Sequence, residues 1–312
     1  MFGIMAISFS DIGVALTLAA IGGGLVWLTI RSVKGREVPR RLIFAFVFVA
    51  VSLPVLFPIT FKERMTPTVK AVFDKIESLP PGSRVLMSFD FDPAMAPEVQ
   101  PMADAYMRHC LSKGHRVVFM SLWATGQALM TTSLDRVVRR EFSQKVNGVD
   151  YAVIGYKAGN EGVLNVIVTD IRKMFPTDVN TVPLDSLPIF DGVRSCKDFD
   201  LVLTTGGGYP GAKEWVLFVG DPGNVPIASG VAAVTAPLLY PYYPRQILGI
   251  LGGIKGAAEY EHELVNRYPQ FADTPAPGLR MMGPQTLAHL VIMAFIIIGN
   301  ITYFRSRKKE PV

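Results

Sequence analysis

Charge is scarce in this chain: 18% of its 312 residues are Asp, Glu, Lys or Arg, while 50% are hydrophobic. Soluble domains carry about a quarter charged residues, so the shortfall argues against an ordinary soluble protein and for apolar spans. Cysteine is nearly missing as well. Cys110 and Cys196 are the only two, and their isolation supplies no metal or redox motif. An oxidising compartment would permit a bridge between them, but free buried thiols are the commoner state for such a pair. Met1 to Ser10 holds no basic residue, so the positively charged leader of a secretory signal is lacking. Internal repeats and low-complexity stretches are absent too.

The apolar residues concentrate in three uncharged runs. Ile12 to Ile30 spans 19 residues, Leu42 to Thr60 another 19, and Pro284 to Phe304 21. Each is close to the ~20 residues that cross a hydrocarbon core at 1.5 Å per residue. A buried soluble helix rarely stays apolar on every face for five turns. The sequence therefore predicts two N-terminal transmembrane helices, at about 12–30 and 42–60, and one C-terminal helix at 284–304.

Basic residues orient these spans. Arg31, Lys34, Arg36, Arg40 and Arg41 fill the connector 31–41, and Arg305, Arg307, Lys308 and Lys309 the tail 305–312. Short basic segments stay on the cytoplasmic side. Both are cytoplasmic at once if the amino terminus is outside and three spans alternate, which leaves residues 61–283 extracytoplasmic, on the periplasmic or cell-surface side. The lipid bilayer is then one expected partner. Nucleic acid is not. Residues 61–283 carry 22 Lys and Arg against 23 Asp and Glu, a net of −1, so the basic excess lies in juxtamembrane segments suited to anionic headgroups.

Within 61–283, apolar runs at 84–91, 116–123, 150–157, 200–207 and 225–231 read as strands. They alternate with helical segments at 97–113, 127–145, 160–174, 212–220 and 245–265, and a Pro- and Asp-rich loop occupies 176–198. This alternation predicts an α/β domain with a mainly parallel, doubly wound (Rossmann-like) sheet. The strands are continuously apolar, as burial on both faces requires. Val225 to Tyr243 is also free of charge, but Pro226, Pro237, Pro241 and Pro244 argue against a regular membrane helix there.

Ligands of parallel sheets bind beyond the carboxyl ends of the strands. Asp90 and Asp92 stand there in SFDFDP, and alternation places both on one face of an extended chain, about 6–7 Å apart. Two such carboxylates can share a hard cation; equally, Asp92 can cap the next helix and Asp90 meet a backbone donor. The Gly-rich segment TTGGGYPG (204–211), with Thr205, Gly206, Gly207 and Gly208, can present N–H groups to an anion, or can serve a tight turn. It matches neither the Walker nor the dinucleotide pattern.

RVLMSFDFDP resembles the first motif of haloacid-dehalogenase-type phosphohydrolases. The resemblance implies Asp90 as nucleophile and Asp92 as general acid. It also implies Ser121, closing VVFMS, in the phosphate place, Lys213 as the basic residue, and Asp221 in VLFVGDPGN as a ligand of Mg²⁺. The chain departs from that pattern at Ala94, at Pro93, which removes a loop donor, and at Val225, where an acid is expected. IASGVAAVTAP, with Ser229 and Thr235, is faintly similar to the serine region of crotonase-fold peptidases. The only later histidines are His262, flanked by Glu259, Glu261 and Glu263 on what reads as a solvated helix face, and His289 in the last span. No plausible base follows.

Gly249, Gly252, Gly253 and Gly256 recur at three- and four-residue spacing in QILGILGGIKGAAEYE, which reads as a glycine-faced helix packing closely on the sheet or on another subunit. The expected function is that of a membrane-anchored, non-catalytic structural or interaction protein, homo-oligomeric or within a larger membrane-protein complex, with no cofactor. The alternative is an extracytoplasmic phosphohydrolase-like or anion-binding domain using Asp90, Asp92 and the 204–211 loop, with Mg²⁺.

Overall fold

The computed structural model describes residues 9–34, 38–59 and 63–307. Arg36 of the connector, Thr60 at the end of the second predicted span, and Lys308 and Lys309 of the tail lie outside the described residues. The chain divides into two units, 1–62 with 279–312, and 63–278.

The first unit consists of helices. Helix α1 is Phe9–Val33, α2 is Arg40–Leu56, and the last helix of the chain, α12, is Pro277–Arg307. Two stretches, Gly13–Ser32 and Pro277–Arg305, are long and apolar enough to cross a membrane. The second predicted span differs. Its helix has 17 residues and stops at Leu56, because Pro58 lacks an N–H and disfavours helical geometry at Phe57 before it. Ile21, Ala50, Ile59, Leu287 and Val291 form a small interior shared by the three helices. The Ser32 and Thr302 hydroxyls hydrogen-bond between α1 and α12.

The second unit is an α/β domain. Its elements run α3 (Pro67–Ser78), β1 (Arg84–Asp90), α4 (Ala96–Ser112), β2 (Arg116–Ser121), α5 (Ala124–Arg136), α6 (Val138–Glu141), β3 (Tyr151–Tyr156) and α7 (Glu161–Ile167). They continue β4 (Leu201–Gly206), α8 (Ala212–Trp215), a π-helical turn Val216–Gly220, α9 (Asp221–Gly223), β5 (Ile227–Val231), α10 (Ala236–Leu239), β6 (Gly249–Gly252) and α11 (Gly253–Arg267). All five strand pairings are parallel, in the order β3-β2-β1-β4-β5-β6. This is the order of doubly wound dinucleotide-binding folds, whose direction of winding reverses between β1 and β4.

Alternation along each strand feeds two cores. Val85, Met87 and Phe89 of β1, with Val117 and Phe119 of β2, face α3, α4, α5 and α11. Leu86, Val118 and Met120 face the opposite layer, which contains α7, Trp215 and α10. With both faces covered, the strands need no polar side, which is why they read as unbroken apolar runs. Helix α4 is buried on every side from Val99 to Leu111, being wedged between the sheet and the other helices of its layer.

Two expectations need correction. The segment 245–265 is not one helix: Gly249–Gly252 forms the sixth strand, and the helix begins at Gly253. The proposed four-glycine helix face therefore does not exist. The 176–198 loop is built into the domain, with Leu184, Ile189, Phe190, Val193 and Cys196 in the second core. Glu259 and Glu261 are not solvated, at 1% and 3% exposed. Cys110 and Cys196 are free and buried, in cores on opposite faces of the sheet.

Candidate functional site

The carboxyl ends of β1 and β4 meet at the reversal of winding, where Asp90 pairs in register with Gly206. Three of the four strands that end around this point lead into loops with glycine or small residues. Gly206 permits a close approach: a Cβ there would lie 2.5 Å from the Asp90 carbonyl oxygen.

Asp90 is 1% exposed. Its Oδ1 accepts from the Leu122 N–H at 2.7 Å, and its Oδ2 accepts from Ser88 Oγ at 2.7 Å and from Trp215 Nε1 at 2.9 Å. Burial raises its pKa and the three donors lower it; burial wins, and the group is pushed up to about 6. One carboxyl group thus ties β1, the loop after β2, and α8 together. Asp92 does something else. The strand ends at Asp90, so the two carboxylates do not share the face of an extended chain. Asp92 Oδ1 instead accepts from the Ala94 and Met95 N–H groups at 3.0 and 3.1 Å, shaping the turn into α4.

The two predicted anion-binding hydroxyls are committed to the domain's own backbone. Ser121 Oγ donates to the Phe89 and Trp123 carbonyls, at 2.6 and 2.7 Å as alternative acceptors, and accepts from the Trp123 N–H. Thr205 Oγ1 donates to the Ser88 carbonyl at 2.7 Å. Both residues are fully buried. Over the glycines sit large side chains. A Cβ on Gly207 would meet Met95 Sδ at 2.7 Å, and one on Gly208 would meet the Trp123 ring at 2.5 Å. Trp123 Nε1 donates to the Pro210 carbonyl, and Thr235 Oγ1 to that of Gly207. Met95, Trp123, Trp215 and Thr235 line the crevice at the switch point.

Asp221 is not brought to this place. VLFVG (216–220) is a helical turn rather than a strand, and the chain then enters β5 at its amino end, where Val202 pairs with Ile227. Asp90 pairs with Gly206, four residues further along β4, about 13 Å up the sheet. Asp221 accepts from Gln246 Nε2 at 2.6 Å, and Lys213 points to solvent. Among the described residues, no group of three or more His, Cys, Asp and Glu could hold a metal ion. The residues do not fit the magnesium site of a phosphohydrolase. Ser229 is also committed, sharing a 2.7 Å hydrogen bond with Thr204.

No family model matches the sequence. No curated protein is significantly similar to it either.

Sequence reasoning missed Ser88 and Trp215, which hold Asp90, and Trp123, which lines the crevice. It also missed a second polar cluster at the amino end of the sheet. Glu77 accepts from Tyr268 Oη at 2.6 Å, His109 Nε2 at 3.1 Å and Lys113 Nζ at 3.3 Å. A carboxylate only accepts, so Nε2 carries the proton, and His109 Nδ1 accepts from Tyr260 Oη at 2.6 Å. Burial lowers His109 to about 4 against the pull of Glu77, leaving it neutral near pH 7. Burial pushes Glu77 up, but its three donors overcome this and bring it down to about 2. Every member is paired within the cluster, which clamps α3, α4 and α11 together.

Proposed function

We propose that this protein is a membrane-anchored, non-catalytic interaction module that presents its α/β domain outside the cytoplasm, within a larger membrane assembly. The observation that carries the reading is the internal bonding of the polar side chains at the switch point. The carboxylate and hydroxyls best placed for chemistry are buried and bonded internally. A doubly wound fold by itself assigns no activity.

Three transmembrane spans, formed by α1, α2 and α12, are part of this proposal. Large apolar side chains on all three point outward, among them Leu16 at 65%, Phe44 at 72%, Phe48 at 70% and Ile297 at 59% exposed. Contact with lipid tails accounts for such surfaces, which soluble proteins seldom expose. Helix α2, at 17 residues, is about 25 Å long, at the short end of the range that crosses a bilayer.

The second reading, a phosphohydrolase-like or anion-binding domain, is favoured by one observation. Asp90 stands at the carboxyl end of a central strand with a raised pKa, and perturbed carboxyls cluster at functional sites. The two readings separate in one set of measurements on the detergent-solubilised chain. The interaction module should run as a stoichiometric complex larger than 34.2 kDa and show no magnesium-dependent hydrolysis of phosphomonoesters. Hydrolysis that disappears in Asp90→Asn would overturn the non-catalytic reading.

A further inference from the structure

The polar residues of the helical unit divide by direction. On α1, Thr17 Oγ1 donates to the Gly13 carbonyl and Thr29 Oγ1 to that of Leu25, and Ser32 meets Thr302 of α12. Thr17 and Ser32 are buried and Thr302 is half-buried. These groups turn inward, as polar groups within a bilayer do. Helix α12 carries three that do not: Gln285, His289 and Asn300 are all exposed. Asn300 Nδ2 donates to the Ile296 carbonyl of its own helix at 2.8 Å, which leaves its carbonyl oxygen and second N–H without a partner among the described residues. The Gln285 amide and the His289 ring have none there either.

These residues share one face. At 3.6 residues per turn, Gln285, His289, Ile296, Asn300 and Tyr303 fall within an arc of about 60°. Leu287 and Val291, the α12 residues in the interior shared with α1 and α2, lie on the opposite side. Along the exposed face, Gln285, His289, Ile292, Ile296, Gly299 and Tyr303 recur in alternating steps of four and three residues. That repeat holds two helices side by side in a left-handed crossing. A Cβ on Gly299 would have nothing within 4 Å, so a second backbone can come close beside Asn300. His289 and Asn300 stand about 16 Å apart along the helix axis, each more than a turn inside the uncharged run Pro284–Phe304. Lipid tails offer them no hydrogen bond there.

We propose that this stripe binds a second copy of the chain, in a dimer whose α12 helices lie side by side about a two-fold axis along the membrane normal. The inference rests on the anchorage and assembly proposed above, and names a contact that builds the assembly. Every copy is inserted with one orientation, so the axis sets His289 opposite His289 and Asn300 opposite Asn300 at equal depth. The side chains suit such self-pairing. An amide carries both donor and acceptor, and so does an imidazole ring, so each can bond to its own kind. A pair of lysines or aspartates could not. An unrelated helix would have to match three polar groups at three depths, whereas a second copy does so by symmetry.

The test uses the full chain in membranes, with single substitutions Ile292→Cys and Ile296→Cys on the stripe and Leu290→Cys and Ile301→Cys beside it, where the side chains are also exposed. Cys110 and Cys196 are buried and their thiols pushed well up by burial, so the unsubstituted chain does not cross-link. A membrane-permeant thiol oxidant should link 292 and 296 into a species of twice 34.2 kDa and leave 290 and 301 unlinked. In phosphatidylcholine vesicles, energy transfer between labelled copies reports the dimer. His289→Leu and Asn300→Leu should each raise the protein-to-lipid ratio at half-dimerisation by about three- to tenfold. Equal linking at all four positions would mean random collision and overturns the stripe. No linking at 292 and 296, in a chain that resists carbonate extraction, overturns the pairing and leaves the anchorage standing. A dimer that neither leucine variant weakens overturns it too, since the polar groups then do not face the partner. Release of the chain by carbonate overturns the anchorage and the pairing together.

Discussion

Asp90 is held by opposed forces whose balance is measurable. Burial favours its neutral form, while Leu122, Ser88 and Trp215 favour the carboxylate, and the group settles at about 6. A carboxyl whose folded pKa lies above its unfolded value binds its proton more tightly in the folded state. Its contribution is therefore most favourable below about pH 4 and declines as pH rises to about 6, by about 2–3 kcal/mol in all. Asn cannot ionise, so the stability difference between wild type and Asp90→Asn should shift by that amount across the window. The amide also places a donor against Trp215 Nε1–H or the Leu122 N–H, which should cost about 1–3 kcal/mol at every pH. Trp215 reports locally: its fluorescence should titrate near pH 6 in wild type and stay flat in the variant. A flat wild-type titration would show that Asp90 does not change charge there. That Asp90 ends a strand was legible in SFDFDP. Its partner Trp215 was not, because a contact across 125 residues exists only once β4 lies beside β1.

The elements were legible where periodicity was unambiguous. Five strands stood out as short apolar runs bounded by Gly, Pro or charge, since burial on both faces leaves no alternation to obscure them. The sixth was hidden, because GILGGIKG offers glycines at helical spacing and a strand of only four residues, Gly249–Gly252. The expectation of close packing at these glycines was sound in kind, and its geometry was mistaken. Gly249 lies beneath α3, where a Cβ would stand 2.5 Å from Val72 Cγ2 and 2.6 Å from the Thr68 carbonyl oxygen. The backbone of α3 cannot yield locally, so Gly249→Ala should push helix and strand apart at a cost of about 1–3 kcal/mol. Gly162, in α7, has nothing within 4 Å of its would-be Cβ, and Gly162→Ala should be neutral or stabilising by up to about 1 kcal/mol. Denaturant midpoints of the two variants test this pair of signs. Equal effects would mean that β6 does not pack on α3 this closely.

For the whole molecule the decisive quantity is the number of crossings. Two helices, α1 and α12, pass on length and composition, but two crossings alone would place the basic connector and the basic tail on opposite sides of the membrane. Three crossings put Arg31, Lys34, Arg40 and Arg41 on the same side as Arg305, as the retention of short basic segments requires. The count thus turns on α2, whose short length is offset by packing: Phe46 meets Phe295 of α12 edge-on at 5.8 Å between ring centroids, and its ring fills the space that a Cβ on Gly24 of α1 would need. An alkaline phosphatase reporter inserted in an exposed loop of residues 63–278, active only after export, should be active. A cytosolic fluorescent reporter fused after residue 312 should fluoresce. Replacing Arg31, Lys34, Arg40 and Arg41 by neutral residues removes the connector's charge while leaving the tail's, and should lower the exported fraction by weakening retention of the connector inside. A reporter within 63–278 that is inactive in the wild type would place the α/β domain in the cytoplasm. The three-span topology would fall with it, because the same connector cannot then lie across the membrane from the domain.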